Sequence, residues 1–292
     1  MPNEIKNEKL KFELNKNYIN MENTIKDPID IELWLRAHNI SHFEIVDGFK
    51  VNVSQNVMLR NYNLKFIPIC FNEVLQDFDV SSNDLKTLKN SPKKVGGCFD
   101  CSENRLENLE HVPESIYGYL DFSMNKIKTL KYFPKTIAGS IFGTNNEIES
   151  LLGISEILGK YIDLSYNNIE SFKHGPKYIG GSFFITNNKI KNLEFAPEII
   201  KESLVVNNNL ITTTKTNIKE VKVLSLTHNL LETIEGLKNI KMTEIVVSEN
   251  ERLGCLQKIT NPQELQISFN YEELKKIDIN QNNNKTKKIR KY

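Results

Sequence analysis

The chain has 292 residues, and its 38 Lys plus Arg stand against 37 Asp plus Glu, so the net charge is +1. That balance removes the simplest argument for bulk nucleic-acid binding, which wants a basic excess. No apolar run reaches the ~18 residues a spanning helix needs, so no membrane segment is expected. The charged start, "MPNEIKNEKLKFELNKNYIN", lacks the continuous apolar core of a cleavable signal. Four cysteines, at 70, 98, 101 and 255, do not have the spacing of a small disulfide framework, and a reducing, cytoplasmic setting is expected.

Residues 1–26 are polar and charged and read as a tail or a loosely packed helix. A helix is predicted next, over "DPIDIELWLRAHNI", with Asp27 as its N-cap and Pro28 in its first turn. Ile31, Leu33, Trp34, Leu35 and Ala37 are expected to form its apolar face, with Trp34 as a core residue. "HFEIVDGFKVNV" then alternates, which predicts a hairpin on a two-residue Asp47–Gly48 turn. Helix and hairpin, residues 27–56, are expected to form a small α/β cap over the first open edge of a repeat array.

Residues 57–278 repeat. "FDVSSNDLKTL", "FDCSENRLENL", "LDFSMNKIKTL", "IFGTNNEIESL", "IDLSYNNIESF" and "FFITNNKIKNL" carry Asn83, Asn104, Asn125, Asn146, Asn167 and Asn188 at 21-residue intervals. Steps of 21 or 20 continue to Asn209, Asn229, Asn250 and Asn270, and one step back reaches Tyr62 in a degenerate first copy. About eleven repeats result, weakest at both ends, as terminal repeats should be. Apolar residues recur five and three before the Asn, and two and five after it. The spacing of two marks a short strand with one buried face. The Asn stands where the chain leaves that strand, and its side chain is expected to bond the backbone of the next coil. Pro92, Pro113, Pro134, Pro176 and Pro197 all lie nine after an Asn, which favours an extended return segment over a helix.

This pattern, L-x-L-x-x-N-x-L, resembles the leucine-rich repeat family over about residues 57–274. The short Pro-bearing repeat is similar to that of bacterial effectors, and more so to repeat proteins of tailed phages and large DNA viruses. The resemblance implies a solenoid with a parallel β-sheet on its concave face, an extended or 3-10 convex side, and a protein-binding role without chemistry of its own. It implies a host-interaction factor of a phage, virus or bacterium, placed in the host cytoplasm. A structural part of a larger assembly is the alternative.

A partner protein is expected on the concave face, at the outward positions six, four, two and one before each Asn. The candidates are Asp79, Asp100, Asp121 and Asp163, with Tyr119, Phe142, Tyr161 and Phe184 beside them. A column of like charges is mildly costly, and nothing in solvation asks for Asp there, so a basic partner is expected; aromatics among charges suit an interface core. The bland reading, that short polar residues suit a crowded face and the aromatics are scattered surface, weighs about equally. The Asn ladder, Asn83 to Asn250, is read as structural.

An enzyme reading starts from "VGGCFDCSENRLENL", in which Cys98 and Cys101 have a metal or redox spacing and Cys98-Phe99-Asp100 matches the Cys-x-Asp of effector ubiquitin ligases. Register argues against it: Cys98, six before Asn104, should point outward, and Cys101, three before, inward. Zinc would want a second pair, the five His share no recurring spacing with Cys or carboxylates, and the chain has neither G-x-x-x-x-G-K-[ST] nor G-x-S-x-G. No cofactor or metal is expected; a divalent cation on the Asp column has no calcium-loop spacing behind it. The end, residues 279–292 with Lys285, Lys287, Lys288, Arg290 and Lys291, reads as a solvated basic tail. A nucleic-acid contact there is a weak alternative. A monomer is expected.

Overall fold

The computed structural model describes residues 24–253 except 238. The chain is a parallel β-solenoid of about nine stacked turns with little helix. The repeat at Asn270, Cys255 and both tails beyond these limits lie outside the described residues.

Helix α1 (Pro28–Ala37) starts as predicted: Asp27 Oδ1 accepts from the N–H groups of Ile29 and Asp30 at 2.9 and 3.1 Å. Ile31, Trp34, Leu35 and Ala37 are buried, but Leu33 is 46% exposed. Leu33 lies two residues from Ile31, off the i, i+3, i+4 stripe that faces the core. Strands β1 (Phe43–Val46) and β2 (Lys50–Val53) form the hairpin. Val46 pairs with Lys50, so the loop has three residues and not two, with positive φ at Gly48 and Phe49.

The coils come next, each giving a front strand before its Asn and a rear strand after its return. In chain order these are β3 (Val57–Met58), β4 (Cys70–Val74), β5 (Phe78–Asp79), β6 (Lys94–Val95), β7 (Phe99–Asp100), β8 (Ser115–Ile116), β9 (Leu120–Asp121), β10 (Thr136–Ile137), β11 (Ile141–Phe142), β12 (Ile157–Leu158), β13 (Ile162–Asp163), β14 (Tyr178–Ile179) and β15 (Phe183–Phe184). Then come β16 (Asn192–Leu193), β17 (Ile199–Val205), β18 (Thr213–Thr216), β19 (Glu220–Ser225), the 3-10 turn Glu235–Leu237 and β20 (Glu244–Val246). The front row runs β3-β5-β7-β9-β11-β13-β15-β17, all parallel, with β19 and β20 beyond. The rear row β2-β4-β6-β8-β10 is also parallel. The return side is therefore a second sheet, not only extended or 3-10 chain. Its signal is the apolar residue twelve after each Asn: Val95, Ile116, Ile137, Leu158 and Ile179. The hairpin pairs through β2 with β4 and so extends the rear sheet, while β3 is the outermost front strand.

Between the sheets lies one continuous core. Residues five and three before the Asn and two and five after it are buried, from Phe78, Val80, Leu85 and Leu88 through Phe183, Ile185, Ile190 and Leu193. The ladder ties the coils. Asn104 Nδ2 lies 3.0–3.1 Å from the carbonyl oxygens of Val80, Cys101 and Ser102, and its Oδ1 accepts from Leu85 N–H at 2.9 Å. Asn83 and the seven from Asn125 to Asn250 repeat this arrangement. The bonds reach back to the preceding coil rather than forward to the next. The residue just before each Asn turns the corner in the left-handed region, from Ser82 (φ 52) to Glu249 (φ 54). Such residues are strained, and the Asn bonds at both flanks hold them there.

Two further devices stack the coils. Gly118 and Gly139 stand at the corner that leads into the front strand, and a Cβ on Gly139 would lie 2.4 Å from Gly118 O. Ten after each Asn the residue alternates Lys93, Glu114, Lys135, Glu156, Lys177, Glu198, Lys219. Lys135 meets Glu114 at 2.7 Å, Lys177 meets Glu156 at 3.0 Å and Lys219 meets Glu198 at 2.5 Å. Each partner holds the exposed Glu114 and Glu198 carboxyls below their usual range, chiefly by its hydrogen bond.

Candidate functional site

The front sheet aligns the predicted residues. Asp79 pairs in register with Asp100, Asp100 with Asp121, Asp121 with Phe142, Phe142 with Asp163, and Asp163 with Phe184. Neighbours along this column are about 4.8 Å apart, and all six are half-buried. Tyr119 and Tyr161 stand two residues before Asp121 and Asp163, just ahead of strands β9 and β13. Together the rings form an unbroken zigzag: Tyr119 to Phe142 is 5.9 Å between centroids and edge-on, Phe142 to Tyr161 is 5.5 Å, and Tyr161 to Phe184 is 5.0 Å. These distances are those of aromatic pairs in contact. The structure thus joins all eight candidates in one surface.

The Asp residues have a task within the chain that the sequence reading missed. Asp79 Oδ1 accepts from Ser81 N–H at 2.8 Å and from its hydroxyl at 2.6 Å, and Asp100 treats Ser102 the same way at 2.9 and 2.6 Å. Asp121 and Asp163 accept from Ser123 and Ser165 N–H, both at 2.9 Å. Each carboxylate satisfies a backbone donor where the strand ends. Where Phe replaces Asp, the N–H turns elsewhere: Thr144 donates to Ser123 Oγ, and Thr186 to Ser165 Oγ, both at 3.2 Å. The signal was present as Asp-x-Ser in four coils and Phe-x-Thr in two. The premise that nothing needs Asp here is therefore wrong, and the cost of the column no longer argues for a partner.

Burial pushes the Asp100 carboxyl up, the Ser102 bonds pull it back, and Asp121 and Asp79 push it up again. Asp121 is raised in the same way, with burial first and Glu103 among its neighbours. Tyr119 and Tyr161 are pushed up to about 12, by burial and then by the adjacent carboxylates, so both keep their phenol protons. Tyr161 donates its O–H to Asp163 Oδ2 at 3.2 Å.

Cys98 and Cys101 divide as the register requires: Cys98 is half-buried on the front face and Cys101 is fully buried in the core. Burial raises both thiols, most strongly that of Cys101. Neither is set up as a thiolate nucleophile, which needs a depressed pKa. Among the described residues no group of three or more His, Cys, Asp or Glu is arranged to hold a metal ion, and no helix is long and apolar enough to cross a membrane.

The distribution of charge is the other property of this face. The nine six-residue windows that precede Asn83 to Asn250 contain eight Asp or Glu and no Lys or Arg. The cations sit on the rear ladder and at the flanks, as with Lys177 on Glu156, Lys191 on Glu170 and Arg105 on Asp84. No model of a known protein family matches the chain, and no curated protein sequence matches it.

Proposed function

We propose that this solenoid is of the leucine-rich repeat type and acts as a non-catalytic scaffold that binds a basic protein through the front sheet. The register of Leu, Ile and Asn supports the type. One observation carries the binding role: the front windows from Asn83 to Asn250 hold eight Asp or Glu and no Lys or Arg, with Arg60 of the first coil lying outside them, although the chain holds about as many cations as anions. Solvation alone does not sort charge this way, since mixed signs dissolve equally well. A one-sided acidic surface speeds encounter with a basic partner and rejects acidic ones. The row of Tyr119, Phe142, Tyr161 and Phe184 supplies apolar contact area at its centre. The role is read as cytoplasmic and, by the family resemblance, as host interaction in a phage, virus or bacterium.

Affinity capture from the native cell tests this, read by mass spectrometry against an Asp100→Asn/Asp121→Asn variant. Asn keeps an oxygen for the Ser102 and Ser123 N–H groups and removes only charge. A basic protein held by the native chain and lost by the variant is the expected result. Equal capture by both would end the proposal.

A further inference from the structure

We infer that the part of the front sheet from Tyr119 to Phe184 selects arginine over lysine side chains on its partner. This rests on the binding role proposed above and adds which cation the face takes. Phe142 lies in register between Asp121 and Asp163, and its ring is flanked by those of Tyr119 and Tyr161. Each ring is only partly covered, so a flat aromatic platform stands one strand away from a carboxylate on either side. The Oδ1 atoms of Asp121 and Asp163 are engaged by the Ser123 and Ser165 N–H groups. Those backbone bonds fall on one oxygen of each carboxylate; the Ser123 hydroxyl also bonds the Asp121 carboxyl, and Asp163 Oδ2 takes the longer Tyr161 bond.

A guanidinium group fits this arrangement and an ammonium group does not. The guanidinium is planar, so it stacks over a ring while its edge donates sideways, and at about 4.8 Å between strands the neighbouring carboxylate is within reach of that edge. It is also weakly hydrated, which matters beside half-buried carboxylates that have already lost water. An ammonium has no flat face and gives up its water at greater cost. Among the described residues no Lys or Arg stands in the front windows from Asn83 to Asn250, so none stands within this stretch of the face.

Anisotropy titrations of the full chain with labelled nona-arginine and nona-lysine peptides, at matched salt, test the inference. The arginine peptide is expected to bind about tenfold tighter. Phe142→Leu/Tyr161→Leu keeps apolar bulk and removes two ring faces, and it should bring the two peptides within about twofold of each other. Equal affinity of both peptides for the native chain would overturn arginine selection and leave the acidic-face reading standing. An arginine preference that survives the double variant would overturn it as well. Binding of neither peptide would overturn both readings. Circular dichroism of the variant, with Phe142→Leu alone as a milder form, ensures that a lost preference reports the rings and not the fold.

Discussion

The coils up to Asn188 and those after it turn the same corner by different means. In the first set the corner residues include Gly96-Gly97, Gly118, Gly139, Gly159 and Gly180-Gly181, and the chain breaks between a short rear strand and a short front strand. Coils stack there backbone on backbone: Gly118 N–H donates to Gly97 O at 2.7 Å, and Gly139 N–H to Gly118 O at 3.0 Å. In the second set the corner reads Lys201-Glu202 and then Lys222 alone, and one strand runs through it. β17 covers seven residues and β19 six, and β17 joins the rear strand β14 to the front strand β15. A register shift between Ile200 and Ser203 absorbs the bend that glycine absorbs elsewhere. The Asp column from Asp100 onward and the aromatic row belong to the glycine-cornered coils, while the coil of Asp79 turns at Leu75-Gln76. In the second set the equivalent positions are Val205, Ser225 and Val246.

The comparison can be broken or sharpened by substitution. The largest effect should ignore the division. Asn146→Leu and Asn229→Leu each leave several buried backbone groups unpaired and should cost about 3 kcal/mol or more in urea unfolding; a much smaller loss at Asn229 would mean the later coils do not use the ladder. Next comes the corner itself. A Cβ on Gly118 would lie 2.6 Å from Gly97 C, so Gly118→Ala should cost about 2–3 kcal/mol, while Glu202→Ala at the matching place should change stability by under about 0.5 kcal/mol. Equal costs would erase the distinction between the two corners. Inside the first set, Gly143 stands where other coils put a larger residue, and its Cβ would lie 2.3 Å from the Phe122 ring. Gly143→Ala should cost about 1–3 kcal/mol, and Phe122→Leu in the same chain should recover part of it; additive losses would show that the two do not share one space.

The smallest effect concerns pH. Asp100 and Asp121 have folded pKa values above the ordinary 3.8, so the folded chain holds these protons more tightly than the unfolded one. Their ionisation therefore costs stability at neutral pH, and that cost fades as pH falls towards 3.8. Asp100→Asn/Asp121→Asn should be more stable than the native chain by about 0.5 kcal/mol at neutral pH. The gap in melting temperature should close on acidification. Glu114, Glu170, Glu198 and Glu220 act with the opposite sign. Their lowered pKa values give stability that is present above 4.5 and lost as they protonate below it. A gap that widens on acidification would refute the assignment to the Asp column.

Most of the front half of each coil was legible in the sequence, because period-two burial and an invariant turn residue are local signals. Phe99 and Cys101 point in and Asp100 points out for the same reason that any strand alternates. The N-cap at Asp27 was legible for a similar reason. The rear sheet was harder, since it shows only as one apolar residue per coil, Val95 or Ile116, among prolines and charges. Leu33 was misplaced by counting apolar residues instead of following the helical stripe. The work of the Asp residues was missed because it lies in a covariation, Asp with Ser and Phe with Thr, that appears only when two columns of the repeat are read together.

The alternating ladder of Lys93, Glu114, Lys135, Glu156, Lys177, Glu198 and Lys219 has a consequence for how the chain can grow. Its period is two coils, although the fold repeats every one. Losing or duplicating a single coil by recombination would set Lys against Lys or Glu against Glu at the new seam. Losing or duplicating two coils, about 42 residues, would leave every pair matched. A gene lineage of this protein would then change length by even numbers of coils, and an odd count would leave its mark as a mismatched seam.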